Sequence, residues 1–362
     1  MPSQPATIFD PSKTFDDNFD HGPFTADPSQ QPYQNIGEPK YEFLGHKLYS
    51  PFGIAAGSLP SSNHIKYSFE RGFDVLCYKT QRSVPFECNE FPNVVYLDIE
   101  GDLTLEQAQK PLVGHLSSDK PLEKLTITNS FGNPSRGPEF WVEDMKKAVA
   151  NQGKGQLLIS SIVGTIQEGF TQEDYYNDFA RTAELANSTG VQAIEVNLSC
   201  PNVAKEGILC YTPEAVISIC RKIKKKIGDT PLIAKVGYYS PAQQPLLEQV
   251  VLETKDYVGA FSAINTIQAA VVDEKGEQLL PGEGRLKSGI CGAGIQWAGI
   301  DMVKRLSTLK MKHSLNYEII GVGGVATVDD FTLYRDAGAD VVQSVTAAMW
   351  NDKLASQIKT TL

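Results

Sequence analysis

Eight short apolar runs, most of them separated by helical patterns, constrain the fold of this chain more than any other feature. The runs cover residues 52–56, 75–78, 157–162, 193–196, 232–235, 260–264, 317–321 and 341–345. The clearest helical patterns between and after them cover residues 175–187, 213–227 and 328–337. Eight runs in β/α alternation are what an α/β fold of the (β/α)8 barrel type requires, so we expect one such barrel. A doubly wound open sheet is the alternative fold.

Two stretches fall outside this alternation. Residues 1–40 are polar and rich in Pro, Gln and Asp, which predicts an N-terminal extension that is mobile or draped over the domain. We expect this extension to be dispensable for cofactor binding and for catalysis, because it lies outside every strand-end motif. Residues 80–138 are too long for one loop and contain the apolar run 93–98, which predicts extra strands over the top of the barrel.

Charge and cysteine spacing exclude several classes of function. The formal charge of −10 argues against a nucleic-acid partner, and the basic run 221–226 suits the end of a helix. No apolar stretch reaches the ~18 residues of a membrane-spanning helix, and no signal-peptide pattern begins the chain. The six cysteines are scattered without a closely spaced pair, which indicates reduced thiols inside the cell and no iron–sulfur cluster or other metal site.

Active sites of (β/α)8 barrels lie at the carboxyl ends of the strands, and these ends carry polar residues here. Lys79 and Thr80 follow the second run, Lys235 ends the fifth, and Asn265 and Thr266 follow the sixth. An unpaired buried ammonium is costly. One such lysine could reach solvent along its own stem, but two on one rim predict a bound anion.

The segment 197–202 reads Asn-Leu-Ser-Cys-Pro-Asn and directly follows the fourth run. It places the thiol of Cys200 between two amides, and Pro201 restrains the backbone beside it. Amides orient planar heterocycles, and a thiol with a lowered pKa is a competent base. The alternative is a buried structural cysteine.

Two glycine-containing segments predict anion sites. Gly321-Val322-Gly323-Gly324, with the loop after the eighth run, occupies the usual phosphate position of such barrels. Residues 129–137, Asn-Ser-Phe-Gly-Asn-Pro-Ser-Arg-Gly, can form a nest of N–H groups for a carboxylate. An ordinary turn explains the second segment equally well.

Taken in order, these motifs resemble the dihydroorotate dehydrogenase family over residues 41–355. The segment 197–202 carries the resemblance most specifically, and Lys79-Thr80, Asn129-Ser130-Phe131-Gly132, Ala234-Lys235, Ile264-Asn265-Thr266 and residues 321–324 support it. The resemblance implies FMN bound in a single barrel domain, residues 41–362. It also implies oxidation of dihydroorotate to orotate in pyrimidine biosynthesis.

Carried over by position, Cys200 corresponds to the base of the class 1 enzymes, whereas the membrane-bound, quinone-using class 2 enzymes have serine. The residues implied to hold the pyrimidine and its carboxylate are Lys79, Asn129, Phe131, Gly132, Asn133, Asn197, Asn202, Asn265 and Thr266. Lys235 corresponds to the lysine beside the flavin, and Gly323, Gly324 and Thr346 to its phosphate site. The other implied FMN contacts are Ala56, Gly57, Lys79, Thr80, Asn197, Ile264, Gly292 and Val345.

The chain departs from the family pattern at three places. Val345 stands where glycine is usual, which predicts a reshaped phosphate loop, and Asn133 stands where class 1A proteins usually have leucine. The N-terminal extension lies outside the family core.

Two electron acceptors fit these motifs. Residues 129–132 followed by Pro134 resemble class 1A, the cytoplasmic homodimers that use fumarate, whereas Asn265-Thr266 occurs in class 1B, which reduces NAD through a partner subunit. We expect fumarate. Two further functions are compatible with the same barrel. One is an FMN enzyme of the dihydropyrimidine (dihydrouracil) dehydrogenase type, and the other is a binding protein whose barrel has lost its chemistry.

Overall fold

The computed structural model describes residues 5–25, 29–199 and 209–362. Within these ranges, eight parallel strands hydrogen-bond in chain order and close into a barrel, because the eighth strand pairs with the first. The strands are Phe52–Ile54, Val75–Gln81, Leu157–Ile162, Ala193–Asn197, Leu232–Val236, Ala260–Ala263, Glu318–Val322 and Val341–Ser344. Each overlaps one predicted run, so the predicted barrel is confirmed and the open sheet is excluded.

Helices follow the barrel strands and cover their outer faces. They are Ser62–Glu70, Pro138–Ala150, Gln172–Asn187, Pro213–Ile227, Gln244–Glu253, Gln296–Lys312, Val328–Asp336, Thr346–Trp350 and Leu354–Lys359. Pro213–Ile227 has the predicted bounds: proline occupies its first turn, three lysines occupy its last, and Gly228 ends it at φ +60°. The basic run is therefore a helix end, as its sequence predicted.

A second, five-stranded barrel covers the carboxyl ends of the first. Three of its strands, Tyr96–Leu97, Leu112–His115 and Thr126–Asn129, come from the insertion predicted to contain extra strands. The other two, Ile267–Val272 and Lys287–Gly292, follow the sixth barrel strand and were not predicted as strands. We call this five-stranded barrel the cap. It encloses the space above the strand ends.

The opposite end of the barrel is closed by a hairpin of two short strands, Tyr41–Phe43 and His46–Leu48. Phe43 and Leu48 pack against apolar side chains of the barrel strands, such as those of Val75 and Leu157. This end therefore holds packed apolar side chains, and the space for a ligand lies beneath the cap.

The N-terminal segment, which we define as residues 5–24, lies across one side of the cap. It contains the helix Phe15–His21, and its buried phenylalanines pack against Ile127 of the cap and Trp350 near the end of the chain. These contacts correspond to the draped arrangement, one of the two that the composition predicted.

None of the helices in the described ranges is long and apolar enough to cross a membrane.

Candidate functional site

Two adjoining pockets lie between the strand ends and the cap. The larger encloses about 850 Å³ and the smaller about 420 Å³. Five residues line both pockets and so form a shared wall: Ala56, Asn129, Lys235, Asn265 and Thr266. A molecule in the smaller pocket would therefore lie directly against one in the larger.

Every predicted site residue that the structure describes lines one of these pockets. The larger pocket also contains Gly57, Phe131, Ile264, Gly292, Gly323, Gly324, Val345 and Thr346. The smaller also contains Lys79, Thr80, Gly132, Asn133 and Asn197. Cys200 and Asn202 lie outside the described residues.

The glycine turn after the seventh strand needs glycine for a geometric reason. Gly323 and Gly324 have φ of +134° and +69°, which side chains rarely adopt. A Cβ on Gly324 would also lie 2.7 Å from the Cβ of Gln296. The turn therefore keeps its backbone accessible in the lining of the larger pocket, as a phosphate site requires.

Val345, where the family has glycine, has φ −131° and so is not strained there. Its side chain packs on Gly57, since a Cβ at Gly57 would lie 2.8 Å from Val345 Cγ1. The glycine at position 57 thus makes room for the valine. Whether the phosphate loop is reshaped stays a prediction.

Lys79 and the loop of residues 129–133 form the wall of the smaller pocket. The Lys79 side chain is 4% exposed, and its Nζ donates to Asn133 Oδ1 over 3.2 Å. Asn133 has φ +55°, a left-handed conformation that asparagine tolerates better than leucine does. The departure from the family at position 133 thus suits the backbone of this turn.

A buried arginine outside the predicted set holds this loop. Arg82 is 4% exposed, and its guanidinium donates to the carbonyls of Gly132, at 3.2 Å, and Asn133, at 2.8 Å. It also reaches Gly164 O and Thr165 Oγ1 beyond the third strand. Because the C=O and the next N–H of a trans peptide point in opposite directions, the N–H of Asn133 faces away from Arg82.

A second buried arginine fixes the other end of the same loop. Arg285, from the cap, donates to Ser130 Oγ at 3.2 Å and to Ser130 O at 3.1 Å. Asn89 donates to the same carbonyl at 3.0 Å, and its backbone N–H donates to Phe131 O. The 129–133 loop is therefore held on its carbonyl side, which turns N–H groups the other way, as a carboxylate nest needs.

Amide side chains meet where the fourth and sixth strands end. Asn265 Nδ2 donates to Asn197 Oδ1 at 3.2 Å and to Ser199 O at 3.4 Å. The backbone N–H of Ser199 donates to the same Asn197 oxygen. The two predicted amides are thus mutually oriented beside the shared wall.

Lys235 is 4% exposed and borders both pockets. Cys291, a larger-pocket residue that was not predicted, lies near it. Burial raises the pKa of this thiol to about 11, opposed by a hydrogen bond with Thr346 and by the Lys235 charge. Cys291 is therefore a thiol, not a thiolate, near neutral pH.

Burial likewise raises the pKa of the other cysteines that the structure describes. The values are about 11 for Cys88 and about 12 for Cys210 and Cys220, and burial raises the pKa of Cys77 well above its ordinary value. None of these five described thiols suits a base near neutrality. In the described ranges, no group of three or more His, Cys, Asp or Glu residues could hold a metal ion.

The larger pocket fits a planar aromatic cofactor that carries one phosphate. Its lining combines glycine turns with an apolar wall, which is formed by Phe9, Val94, Leu122, Leu125, Ile127 and Met349. Ser58 Oγ is buried in its lining without a hydrogen-bond partner among the described residues, which suits a ligand oxygen. These are the features expected of an FMN site.

One family model and three known proteins are similar to this chain. The family model described as dihydroorotate dehydrogenase matches residues 109–362. A dihydroorotate dehydrogenase of Dictyostelium discoideum is 36% identical, over 96% of this chain and 95% of its own length. The catalytic subunit of dihydroorotate dehydrogenase B (NAD(+)) of Thermoplasma volcanium is 27% identical over 84% of each chain. A dihydroorotate dehydrogenase A (fumarate) of Limosilactobacillus reuteri is 28% identical over 52% of this chain and 56% of its own.

Proposed function

Since this chain belongs to the dihydroorotate dehydrogenase family, we propose that it oxidises dihydroorotate to orotate with FMN in the larger pocket and Cys200 as the base. The chain is an oxidoreductase of the dihydroorotate dehydrogenase type. What we propose beyond this is the identity of the cofactor, the base, the electron acceptor and the individual site residues. The main support for the proposal is the shared wall, because this wall puts a polar pocket of substrate size directly against a pocket of flavin size.

In this assignment the smaller pocket binds the substrate. Lys79 and the N–H groups of Phe131, Gly132 and Asn133 hold its carboxylate. The amides of Asn129, Asn197, Asn202 and Asn265, with Thr266, orient the ring. Fixed donors of this kind supply orientation, which lowers the barrier without any movement at the moment of reaction.

The larger pocket holds the cofactor. The turns at Gly292, Gly323 and Gly324, with Val345 and Thr346, surround the phosphate, and Ala56, Gly57 and Ile264 contact the ring system. Thr80 and Asn197, which line the smaller pocket, contact the ring system from the substrate side. Bound FMN supplies the hydride acceptor. The Lys235 ammonium, buried at the shared wall, stabilises negative charge on the cofactor side.

The reaction removes one proton and one hydride from dihydroorotate. The Cys200 thiolate takes the proton from C5 and becomes a thiol, and the C5–C6 double bond forms as C6 gives up a hydride, for which bound FMN would supply the acceptor. The raised pKa of all five described thiols supports Cys200, because none of the described cysteines suits this task.

Anaerobic stopped-flow reduction by dihydroorotate tests the base. We expect Cys200→Ala to retain FMN with an unchanged visible spectrum, while reduction slows by ~10²–10⁴-fold. Cys200→Ser should be slow near neutrality and recover partly as pH rises, because a hydroxyl is the weaker base. The control is Cys88→Ala, at a thiol that lines neither pocket and should reduce at the parent rate. A Cys200→Ala enzyme that is reduced at the parent rate would refute this role.

For the acceptor we propose fumarate, in a cytoplasmic homodimer, on the class 1A character of residues 129–134. The relatives named above include both a fumarate and an NAD(+) enzyme, so the test is direct. Reoxidation of the reduced protein should be fast with fumarate and slow with NAD or a quinone. Fast reoxidation by NAD only when a partner flavoprotein is present would assign class 1B. Light scattering tests whether the protein is a dimer, and cell fractionation tests whether it is cytoplasmic.

A function of the dihydropyrimidine dehydrogenase type predicts a different substrate. Dihydrouracil has no carboxylate, and so makes no use of the buried Lys79 or of the nest at 132–133. Flavin reduction should therefore be fast with dihydroorotate and at least ~100-fold slower with dihydrouracil.

A further inference from the structure

The N-terminal segment touches the candidate site at three points. We propose that it is a working part of the site: Phe9 completes the cofactor pocket, and Phe9 with Phe15 holds Phe131 of the 129–133 loop. The segment would thus set the affinity for FMN and the position of the substrate-binding loop. This inference rests on the proposed function, and it replaces the expectation that residues 1–40 are dispensable.

The segment has its own hydrogen-bonded structure. Thr14 caps the helix Phe15–His21 by accepting from the backbone N–H of Asp17 at 3.0 Å. The buried side chain of Asn18 accepts from Asp10 N at 2.7 Å and donates to Asp10 O at 2.8 Å and to Thr14 O at 2.9 Å. These hydrogen bonds fix the backbone of residues 10–18, so the side chains of this turn point in fixed directions.

The first contact joins the segment to the phosphate side of the pocket. The N–H groups of Thr7 and Ile8 both donate to Met349 O, at 2.8 and 3.1 Å. Met349 belongs to the short helix Thr346–Trp350, and Thr346 lines the phosphate end of the pocket. The backbone of the segment is therefore tied to the element that would hold the phosphate.

The second contact closes the pocket itself. Phe9 is 2% exposed and forms part of the apolar wall with Met349 and Ile127. It reaches this wall from the N-terminal segment, outside the barrel and the cap. Its ring is a large apolar surface, and its removal would open the wall to water.

The third contact reaches the substrate loop. The ring of Phe131 lies 5.7 Å from that of Phe9 at 83° and 6.4 Å from that of Phe15 at 63°, both edge-to-face arrangements. Phe131 sits between Asn129 and Gly132, which line the shared wall and the substrate pocket. Arg136, just beyond the loop, pairs with Asp20 at 2.7 Å and Asp16 at 3.2 Å and stacks on Phe19 at 3.9 Å.

The test measures FMN binding to apoprotein by flavin fluorescence, a readout that needs no catalysis. We expect Phe9→Ala to weaken FMN binding by ~10–100-fold, the value of a buried aromatic side chain at a pocket wall. Orotate binding to the flavin-loaded variant, followed by the flavin spectrum, should weaken as well, because Phe131 loses its support. A truncated protein that starts at Tyr41 should lose at least as much of both.

The matched control is Phe24→Ala, because Phe24 belongs to the same segment but lines neither pocket. It should bind FMN and orotate like the parent. Parent-like FMN and orotate binding by Phe9→Ala would overturn the inference. If the truncated protein does not fold, the Phe9→Ala measurement decides alone. Failure of the parent itself to bind FMN would instead refute the proposed function, so the two failures are distinguishable.

Discussion

The two walls of the substrate pocket are held in different ways. On the barrel side, Asn197 and Lys235 sit on neighbouring strands and are paired in register by the backbone ladder of the sheet. On the cap side, the 129–133 loop is held by side chains that come from distant parts of the chain, Arg82 and Arg285. A side-chain change on the barrel side should therefore alter chemistry and leave the backbone in place. On the cap side, the loss of one remote side chain should move the backbone that binds the substrate.

Arg82→Met should give the largest effect of the three tests of this contrast. It leaves the carbonyls of Gly132, Asn133 and Gly164 without their donor, and each buried unpaired group costs ~1–3 kcal/mol. We expect KM for dihydroorotate to rise by ~30–1000-fold while FMN affinity changes little. Steady-state kinetics and FMN titration measure the two quantities separately.

Arg82→Lys should rescue only part of this loss, because one ammonium cannot reach four acceptors in different directions. Arg181→Met, at an exposed helix position, serves as the matched control and should behave like the parent. Equal losses of FMN and substrate affinity in Arg82→Met would show that the two walls are not held independently.

Gly324→Ala probes the barrel residues of the cofactor pocket, which lie outside the substrate pocket, and should give an intermediate effect. Alanine at φ +69° costs ~1–2 kcal/mol, and its Cβ would crowd Gln296. We expect FMN affinity to fall by about 10-fold while KM for dihydroorotate in the FMN-saturated enzyme stays near the parent value. Fluorescence titration and kinetics at saturating FMN measure both.

Gly276→Ala controls for backbone strain alone. Its φ is +83° and a Cβ there would meet nothing within 4 Å, so it carries the same conformational cost far from the pockets. Similar FMN affinities for Gly324→Ala and Gly276→Ala would contradict a phosphate site at Gly324.

Arg136→Gln should give the smallest effect. Its partners are largely exposed, so each ion pair contributes about 0.2–1 kcal/mol. Arg136 lowers the pKa of Asp20, so this contribution is present above the ordinary aspartate pKa and is lost as the pH falls through the lowered value. We expect less than ~5-fold weaker FMN binding, a loss that should shrink further in high salt. Lys154→Gln, at a surface pair with Glu38, should leave FMN binding unchanged.

The barrel side could be predicted from sequence because its information is local. A strand buried on both faces appears as a short apolar run, and the polar residue that ends it marks the rim. Lys79, Lys235, Asn197 and Asn265 were found in this way, and all four line the pockets.

The cap side could not be predicted from local sequence, because its strands form by pairing with distant segments of the chain. The strand Lys287–Gly292 reads Lys-Ser-Gly-Ile-Cys-Gly, whose two glycines disfavour a strand, and it forms through its partners Ile267–Val272 and Thr126–Asn129. Arg82 and Arg285 bind carbonyls, which every residue has, so no partner residue marks them in sequence. Phe9 lies in a polar stretch, and only its distant contact with Phe131 distinguishes it.

The bond between Thr7 and Met349 has a consequence for the order of synthesis. A ribosome makes Thr7 before any strand of the barrel and Met349 after all eight. The eighth strand, which closes the barrel against the first, also emerges late. The nascent chain therefore cannot assemble the cofactor pocket until Met349 has been made. The proposed flavin must enter after the barrel has closed, and until then the phenylalanines of the N-terminal segment lack part of the wall that they join.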